Sequence, residues 1–137
     1  MNLNTINDVL NLQIPNVHDI RGKLAVIEKE TIPFSIERVY YLYDVPNDAF
    51  RGGHAHIAQE SVVIALSGSF EVILDDGKDR KRIMLNKPNI GLYIPTGIWR
   101  EIENFSSGSV CLVMASTVFN EEDYIRNYDD FVSSKMG

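Results

Sequence analysis

The feature that most constrains this sequence is a series of short apolar segments, separated by turn residues, between about residues 24 and 118. The segments are rich in Val, Ile, Tyr and Phe, and the turns between them carry Pro, Gly, Asn and Asp. Strands at regular spacing with such turns predict an all-β sandwich or barrel. Gly77, within the turn at residues 75–78, predicts one hairpin in particular because it supplies a positive φ.

The length and composition of the chain fit a single domain over residues 1–137. The 137 residues are 45% hydrophobic, enough for a single core. Asn120 is predicted to cap a short C-terminal helix over EEDYIRNY, with acidic residues favourably placed in its first turn. The first dozen residues, 1–12, contain four Asn and could form a loose arm.

Charge and composition exclude several classes of function. A net charge of −6 argues against a nucleic-acid partner, because phosphate neutralisation requires a basic surface. The apolar runs are too short for a membrane span, and the first residues lack a basic start and an apolar stretch, so no signal peptide is expected. The lone Cys111 predicts a buried, inert thiol and, with the other features, a cytoplasmic protein.

Two of the three histidines, His54 and His56, lie in the string RGGHAH at residues 51–56. On a strand, residues i and i+2 point to the same face, so both imidazoles should face one space while Ala55 faces the other way. The two glycines before them allow a tight turn or a close backbone approach. This pattern favours function over the structural alternative, in which each ring binds a backbone carbonyl.

The histidine string and a second segment resemble the two metal-binding motifs of the cupin family. Glu60 follows His56 as in the first motif and is also a candidate for substrate binding. The second motif, Pro-x-Gly-x-x-His-x-x-x-Asn, matches residues 95–104 except that Arg100 replaces the histidine ligand. A guanidinium has no lone pair to donate and repels a cation. His54, His56 and Glu60 could still hold a metal, but the site is expected to be adapted to something else.

Without a metal, the two histidines form an acid–base pair. A pKa of about 6.5 lets an imidazole both take and return a proton. Neighbouring arginines would stabilise an enolate-like intermediate and hold a phosphate. The candidates are Arg51, Arg38 and Arg100; solvated surface is the alternative for Arg38, whereas the motif position of Arg100 predicts that it points inward.

Several aromatic residues are candidates for substrate binding. On one predicted strand Tyr41 and Tyr43 share a face, and Tyr40 takes the other. Such a face could stack on a base or supply a phenol, and aromatic core packing is the alternative. The same two interpretations apply to Tyr93 and Trp99, so Tyr43, Tyr93 and Trp99 are retained as candidates.

Further strings extend the match to one family. ALSGSFEVILDDG, GLYIP, NFSSGSV and DYIRNYDDF follow RGGHAH in order, so the similarity covers about residues 36–131. The chain resembles the WxcM-like cupins, dTDP-4-oxo-6-deoxyglucose 3,4-ketoisomerases that supply deoxy-amino sugars to bacterial surface glycans such as O-antigen. The resemblance implies a cupin-type jelly-roll barrel, a homodimer with exchanged strands, a dTDP-linked substrate and no metal or other cofactor. It also implies that His54 and His56 carry the acid–base chemistry.

The implied reaction agrees with the residues present. A ketone at C4 acidifies the C3 hydrogen, so one histidine could remove that proton and return it at C4 through an enediol. Arg51 is the first candidate for the pyrophosphate. Three departures from the family stand out: Arg100 replaces its usual His, Ser61 stands where a Gln is usual beside Glu60, and residues 115–119 read ASTVF instead of Ala-Ser-Asp-Tyr-Tyr. The first could alter the pose of the sugar or the stereochemistry at C4.

Three other functions remain open at this point. A 3,5-epimerase acting on the same sugar nucleotide would pair a histidine base with Tyr43 or Tyr93 as the acid. A ligand-binding cupin without chemistry would bind the sugar nucleotide without exchanging its hydrogens. A metal-dependent cupin would retain its metal during purification, so product analysis and metal analysis separate the alternatives.

Overall fold

The computed structural model describes residues 1–136, which are mostly strands. The strands are β1 (Leu10–Gln13), β2 (Asn16–Asp19), β3 (Gly22–Ala25), β4 (Arg38–Tyr43), β5 (Arg51–His56), β6 (Ser61–Ser67), β7 (Phe70–Asp75), β8 (Arg80–Leu85), β9 (Ile90–Ile94), β10 (Trp99–Glu103), β11 (Val110–Ala115) and β12 (Tyr124–Ile125). The helix α1 spans Tyr128–Met136, and 3₁₀ turns cover Ile6–Asp8 and Glu121–Asp123. Within these residues, none of the helices has the length and apolar character needed to cross a membrane.

Two antiparallel five-stranded sheets face each other. One has the strand order β1-β9-β6-β11-β4 and the other β12-β5-β10-β7-β8. Residues from the inner faces of both sheets, such as Val63, Leu74, Leu92 and Val113, form the main core. Cys111 is a free thiol in the same core, and burial raises its pKa to about 12. The predicted all-β class is therefore confirmed.

The apolar run in β6 is continuous because both faces of that strand are covered. Val63 and Ala65 belong to the core between the sheets. Val62 and Ile64 point the other way and pack in a second cluster with Ile32, from the segment that precedes β4. A strand buried on both faces requires apolar residues at successive positions instead of alternate ones.

The predicted hairpin is present between β7 and β8, with Asp75 opposite Arg80. Gly77 has a φ of +94°, the positive value for which a glycine was expected. Asp76 Oδ1 accepts hydrogen bonds from the backbone N–H groups of Lys78 and Asp79, at 2.9 and 2.8 Å. Side-chain acceptors therefore complete the turn.

The C-terminal helix is present, but it begins later than the sequence predicted. Asn120 caps the 3₁₀ turn, and its side chain accepts a hydrogen bond from the backbone N–H of Glu122. The next two residues form β12, which pairs with β5 through Tyr124 and His56, and α1 follows. The predicted helix over EEDYIRNY was therefore wrong. The edge of β5 offers those residues sheet hydrogen bonds, and this tertiary contact overrides local helix propensity.

The N-terminal segment, predicted as a possible loose arm, is packed against the rest of the chain. Asn2 donates a hydrogen bond to Thr96 Oγ1 at 2.9 Å. Lys135, from α1, donates to the carbonyl oxygen of Asn4 at 2.6 Å and to that of Gly97 at 2.9 Å. Together with the pairing of β1 with β9, these bonds hold residues 1–12 in place.

The strands β2 and β3 form a separate hairpin. Within the described residues they pair with each other and with no other strand. All eight of their residues are exposed, and the apolar side chains of Val17 and Leu24 are 58% and 62% exposed. The apolar surface of this hairpin is thus left uncovered by its own chain.

Candidate active site

Strand β5 brings the two histidines to the inner face of its sheet. Gly52 has a φ of +101°, and a Cβ there would lie 3.1 Å from the carbonyl oxygen of Arg100. The glycine therefore permits β5 and β10 to approach closely. In the resulting register His54 lies opposite Arg100, while Ala55 faces outward toward Phe131. The alternation predicted for RGGHAH is observed.

His54 is the histidine that faces the pocket between the sheets. Its Nδ1 contacts the carbonyl oxygen of Gly52, so Nδ1 is the protonated nitrogen and Nε2 carries the lone pair. Nε2 is buried and has no hydrogen-bond partner. Burial first, and the charge of Arg100 second, lower the pKa of His54 to about 4. The ring is therefore a neutral base with its acceptor atom free.

His56 lies behind His54 and is fully buried. Its Nδ1 is 2.8 Å from Asp123 Oδ2, and its ring meets that of His54 edge-on, with centroids 4.8 Å apart. Burial is the main cause of a pKa well below the ordinary value, and the Arg100 charge is the second. His56 does not line the pocket that His54 faces.

Arg100 points inward, as its motif position predicted, and is 5% exposed. Its guanidinium donates to Ser61 Oγ at 3.3 Å and to the carbonyl oxygen of Ile98 at 3.2 Å. No carboxylate of residues 1–136 forms an ion pair with it, and its Nε has no partner. Burial lowers its pKa to about 10, so it stays charged at neutral pH. A buried, unpaired cation favours binding of an anionic oxygen.

Arg38 lies on β4, an edge strand of the opposite sheet, and its side chain also turns toward the site. It donates to Gln59 Oε1 at 2.9 Å and to Tyr124 Oη at 3.3 Å. Its guanidinium lies over the ring of Tyr40, 5.0 Å from the centroid, and its Nε is buried without a partner. Burial raises the pKa of Tyr40, so its phenol remains protonated. Two cations and a phenol therefore surround His54.

The pocket has a volume of about 90 Å³ and opens beside Arg51, which is exposed. Its lining includes Tyr40, Arg51, His54, Arg100 and Ile102. The base, the buried cation and the phenol thus share one small space, with a second cation at its rim. The arrangement suits proton transfer next to an oxygen that becomes negatively charged.

Five of the predicted substrate-binding residues are not among those that line this pocket: Arg38, which lies over Tyr40 beside it, and Tyr43, Trp99, Tyr93 and Glu60. Tyr43 is 63% exposed because it lies on the opposite face of β4 from Tyr40. Trp99 lies on the opposite face of β10 from Arg100 and packs against Phe131 of α1. Alternation along each strand turns these side chains away from His54.

Tyr93 and Glu60 form a separate pair on the outer side of the other sheet. The hydroxyl of Tyr93 donates to Glu60 Oε1 at 2.6 Å. Since Glu60 points away from the histidines, the three-ligand metal set considered from the sequence does not form. Among residues 1–136, no three His, Cys, Asp or Glu side chains converge as metal ligands.

Three neighbours of His56 were absent from the predicted site. Gln59, one residue before the expected Glu60, places its Nε2 3.3 Å from His56 Nε2 and 3.1 Å from Ser61 Oγ. The ring of Tyr124 packs against that of His56 at a tilt of 58°, with centroids 4.4 Å apart. Gln59 follows the histidines closely and could have been weighed, but Asp123 and Tyr124 reach the site through the β5–β12 pairing, which the local sequence did not indicate.

Comparison with known proteins identifies relatives of this chain. The model of the FdtA family, described as WxcM-like, C-terminal, matches residues 7–136. A relative from Aneurinibacillus thermoaerophilus, TDP-4-oxo-6-deoxy-alpha-D-glucose-3,4-oxoisomerase, is 46% identical over 126 residues, which cover 91% of this chain and 89% of the relative.

Solved structures give the same result. A 3,4-ketoisomerase from Helicobacter canadensis is 46% identical, with a TM-score of 0.92 over 95% of this chain and 98% of that one. A second solved structure is a histidine-to-asparagine variant of the 3,4-ketoisomerase QdtA from Thermoanaerobacterium thermosaccharolyticum, in complex with TDP-4-keto-6-deoxyglucose. It is 41% identical to this chain, with a TM-score of 0.92, and the match covers 93% of this chain and 94% of that one. The predicted cupin-type jelly-roll is confirmed, and the chain belongs to the WxcM-like FdtA family.

Proposed function

We propose that this chain converts TDP-4-oxo-6-deoxyglucose to its 3-oxo isomer by acid–base catalysis without a cofactor. The observation that carries this proposal is the free, buried Nε2 of His54 beside the unpaired, buried guanidinium of Arg100. Family membership and the substrates named for the relatives supply the sugar nucleotide. The same resemblance supports a role in the cytoplasm, in deoxy-amino-sugar synthesis for surface glycans.

The first chemical step follows from the protonation states. The C4 ketone of the substrate acidifies the hydrogen at C3, and neutral His54 accepts that proton at Nε2. The electron pair of the broken C–H bond forms the C3–C4 double bond, and negative charge moves to the C4 oxygen. Arg100 stabilises that oxygen, since it is charged and has no carboxylate partner in the described residues.

The second step completes the isomerisation. A proton moves from the C3 hydroxyl to the C4 oxygen, and the protonated phenol of Tyr40 lines the pocket where that exchange takes place. His54 then returns its proton to C4, which leaves the ketone at C3. Each proton removed is returned, so the reaction needs no oxidant or reductant.

The arginines bind different parts of the sugar nucleotide. Arg51 is exposed at the rim of the pocket, where a pyrophosphate outside the small sugar site would lie. Arg100 lines the pocket itself, where the sugar oxygens would lie, and Arg38 lies beside it over the ring of Tyr40. Substitution of Arg51 by Met should therefore raise KM much more than it lowers kcat.

Proton NMR of TDP-4-oxo-6-deoxyglucose with the protein in D₂O tests the proposed reaction. A new 3-oxo species is expected, with any deuterium confined to C4 of the product and to C3 of the remaining substrate, and its spectrum reveals the configuration at C4. Deuterium at C3 and C5 without movement of the ketone would instead indicate a 3,5-epimerase. A spectrum identical to the enzyme-free control would contradict isomerisation of this substrate.

We also propose a homodimer in which the β2–β3 hairpin packs on a second copy. Its apolar residues are uncovered, and strand β4 lies at the edge of its sheet with Tyr41 60% exposed. Light scattering should give the mass of a dimer for the wild type and of a monomer for Val17→Asp with Leu24→Asp. Met84→Asp, an equally exposed apolar site on β8, is the control and should remain dimeric.

A further inference from the structure

A continuous chain of polar side chains lies behind His54. Arg38 donates to Gln59 Oε1 at 2.9 Å, and the hydroxyl of Thr117 donates to the same oxygen at 3.1 Å. Gln59 Nε2 lies 3.3 Å from His56 Nε2, and His56 Nδ1 lies 2.8 Å from Asp123 Oδ2. Gln59 and His56 are 1% and 0% exposed, so this part of the chain is shielded from bulk solvent.

The hydrogen bonds of this chain have a single direction. A guanidinium can only donate, so the amide oxygen of Gln59 must face Arg38 and its N–H group must face His56. His56 Nε2 therefore accepts, and in a neutral imidazole the other nitrogen, Nδ1, carries the hydrogen. That hydrogen is donated to Asp123, a carboxylate that can only accept.

Asp123 is itself held by the backbone. Its Oδ1 accepts from the N–H of Ala58 at 2.6 Å, and its Oδ2 accepts from the N–H of Gln59 at 3.3 Å in addition to His56. These bonds prevent the carboxylate from rotating away. The far end of the chain is therefore as strongly oriented as the arginine end.

The ring of His56 meets the ring that faces the substrate pocket. The two imidazoles are almost perpendicular, at 86°, with centroids 4.8 Å apart. Tyr124 contacts both, at 4.9 Å from His54 and 4.4 Å from His56. His56 has no exposed surface of its own, so its influence on substrate passes through His54.

We propose that the chain from Arg38 through Gln59 to Asp123 keeps His56 in its Nδ1–H tautomer as a positioning residue that orients His54. His54 alone exchanges protons with the substrate. This inference rests on the proposed function, and it goes beyond it by assigning different roles to the two histidines and a positioning role to Gln59 and Asp123.

The substitution Asp123→Asn tests the direction of the chain. The short bond from Ala58 N–H keeps the amide oxygen of the new side chain at the Oδ1 position, so its NH₂ group faces His56 Nδ1. Nδ1 must then accept, and the hydrogen moves to Nε2, where it meets the N–H of Gln59. We expect a lower melting temperature and a kcat about 100-fold lower, the scale of a small misplacement of a reacting group, with little change in KM.

Adding Gln59→Glu to Asp123→Asn reverses the direction of both hydrogen bonds of His56. The carboxylate introduced at position 59 would accept from both Arg38 and the Nε2–H group of His56, and the amide introduced at position 123 would donate to His56 Nδ1. The net charge is the same as in the wild type because one carboxylate has moved. The double variant should therefore regain both melting temperature and kcat relative to Asp123→Asn alone.

The tautomer is read directly by ¹⁵N NMR of histidine-labelled protein, with His18→Gln and His54→Asn used to identify the other two rings. In the wild type, His56 should show a protonated Nδ1 and an unprotonated Nε2. In Asp123→Asn, and in the double variant with Gln59→Glu, it should show an unprotonated Nδ1 and a protonated Nε2. Asp129→Asn, which removes an exposed carboxylate at the start of α1, is the control and should change neither tautomer nor kcat.

Two results would overturn the inference. A protonated Nε2 in the wild type would contradict the direction of the chain. A double variant that regains melting temperature but not kcat would show that His56 Nε2 itself must accept a proton. Tautomer and melting are measured without substrate, so they remain informative if this sugar nucleotide proves not to be isomerised, which would instead contradict the proposed function.

Discussion

The two faces of strand β10 carry charge in opposite ways. On the outer face, Glu103 pairs with Arg82 at 2.7 Å, where Arg82 is 46% exposed. On the inner face, Arg100 is 5% exposed and pairs with no carboxylate of the described residues. Exposed ion pairs contribute little to stability, whereas a buried cation without a partner costs stability. In the proposed mechanism, the unpaired charge of Arg100 stabilises the oxygen that becomes negative, so its burial serves the reaction.

The largest expected effect is on the inner face, at His54. His54→Asn should lower kcat by about 10³-fold, because the proton acceptor is removed. The melting temperature should change little, since Nε2 has no partner to lose in the described residues. Steady-state kinetics and calorimetry measure both quantities, and TDP affinity close to that of the wild type would verify that the pocket is intact. A kcat within a few-fold of the wild type would contradict the assignment.

Next comes a purely structural change under the outer face, at Phe131. This residue is fully buried against Trp99, with ring centroids 5.8 Å apart. Phe131→Ala should reduce the free energy of unfolding by about 3–5 kcal/mol through lost burial and a cavity. Urea denaturation measures this loss, and Phe131→Leu, which keeps most of the volume, should lose much less.

A matched pair of arginine substitutions compares the two faces directly. Arg100→Met should lower kcat by about 100-fold, because a transition-state charge loses its stabilising partner. The same change should raise the free energy of unfolding by about 1 kcal/mol, because a desolvated charge is replaced by an apolar side chain. Arg82→Met should leave kcat unchanged and alter stability by about 0.5 kcal/mol or less. Equal effects of the two substitutions would remove the distinction between the faces.

The smallest effect concerns pH. The pKa of His54 is lowered from 6.5 to about 4 in the folded protein, so the neutral base persists well into the acid range. The value of kcat/KM should therefore stay level as pH falls from 7 to about 5 and decline toward about 4. Between pH 6.5 and about 4, the unfolded protein binds a proton at this histidine that the folded protein does not. The free energy of unfolding therefore also decreases as the pH is lowered through this range. His54→Gln should remove this contribution to the pH dependence of stability.

Much of the fold could be predicted because it depends on local patterns. The alternation of apolar residues indicated strands, and Gly77 indicated the β7–β8 hairpin. The C-terminal segment could not be predicted from propensity. Tyr124 and Ile125 lie in a sequence suited to helix, but the edge of β5 supplies sheet hydrogen bonds, and only the folded barrel brings that edge to them.

The site shows the same division between sequence and structure. The motif position of Arg100 predicted that it points inward, and alternation along a strand was enough to place His54 and His56 on one face. The same rule, applied to Tyr43 and Trp99, would have excluded them once the inner face was known, but a sequence does not state which face is inner.

By itself, the sequence determined the strand pattern, the histidine pair and the family, because each is carried by residues adjacent along the chain. Only the tertiary structure decided which histidine meets the pocket and which is enclosed. Asp123 reaches His56 from 67 positions along the chain, and burial there depends on how two sheets and a C-terminal strand pack. Protonation state follows from that packing, since it is set by desolvation and by neighbouring charges.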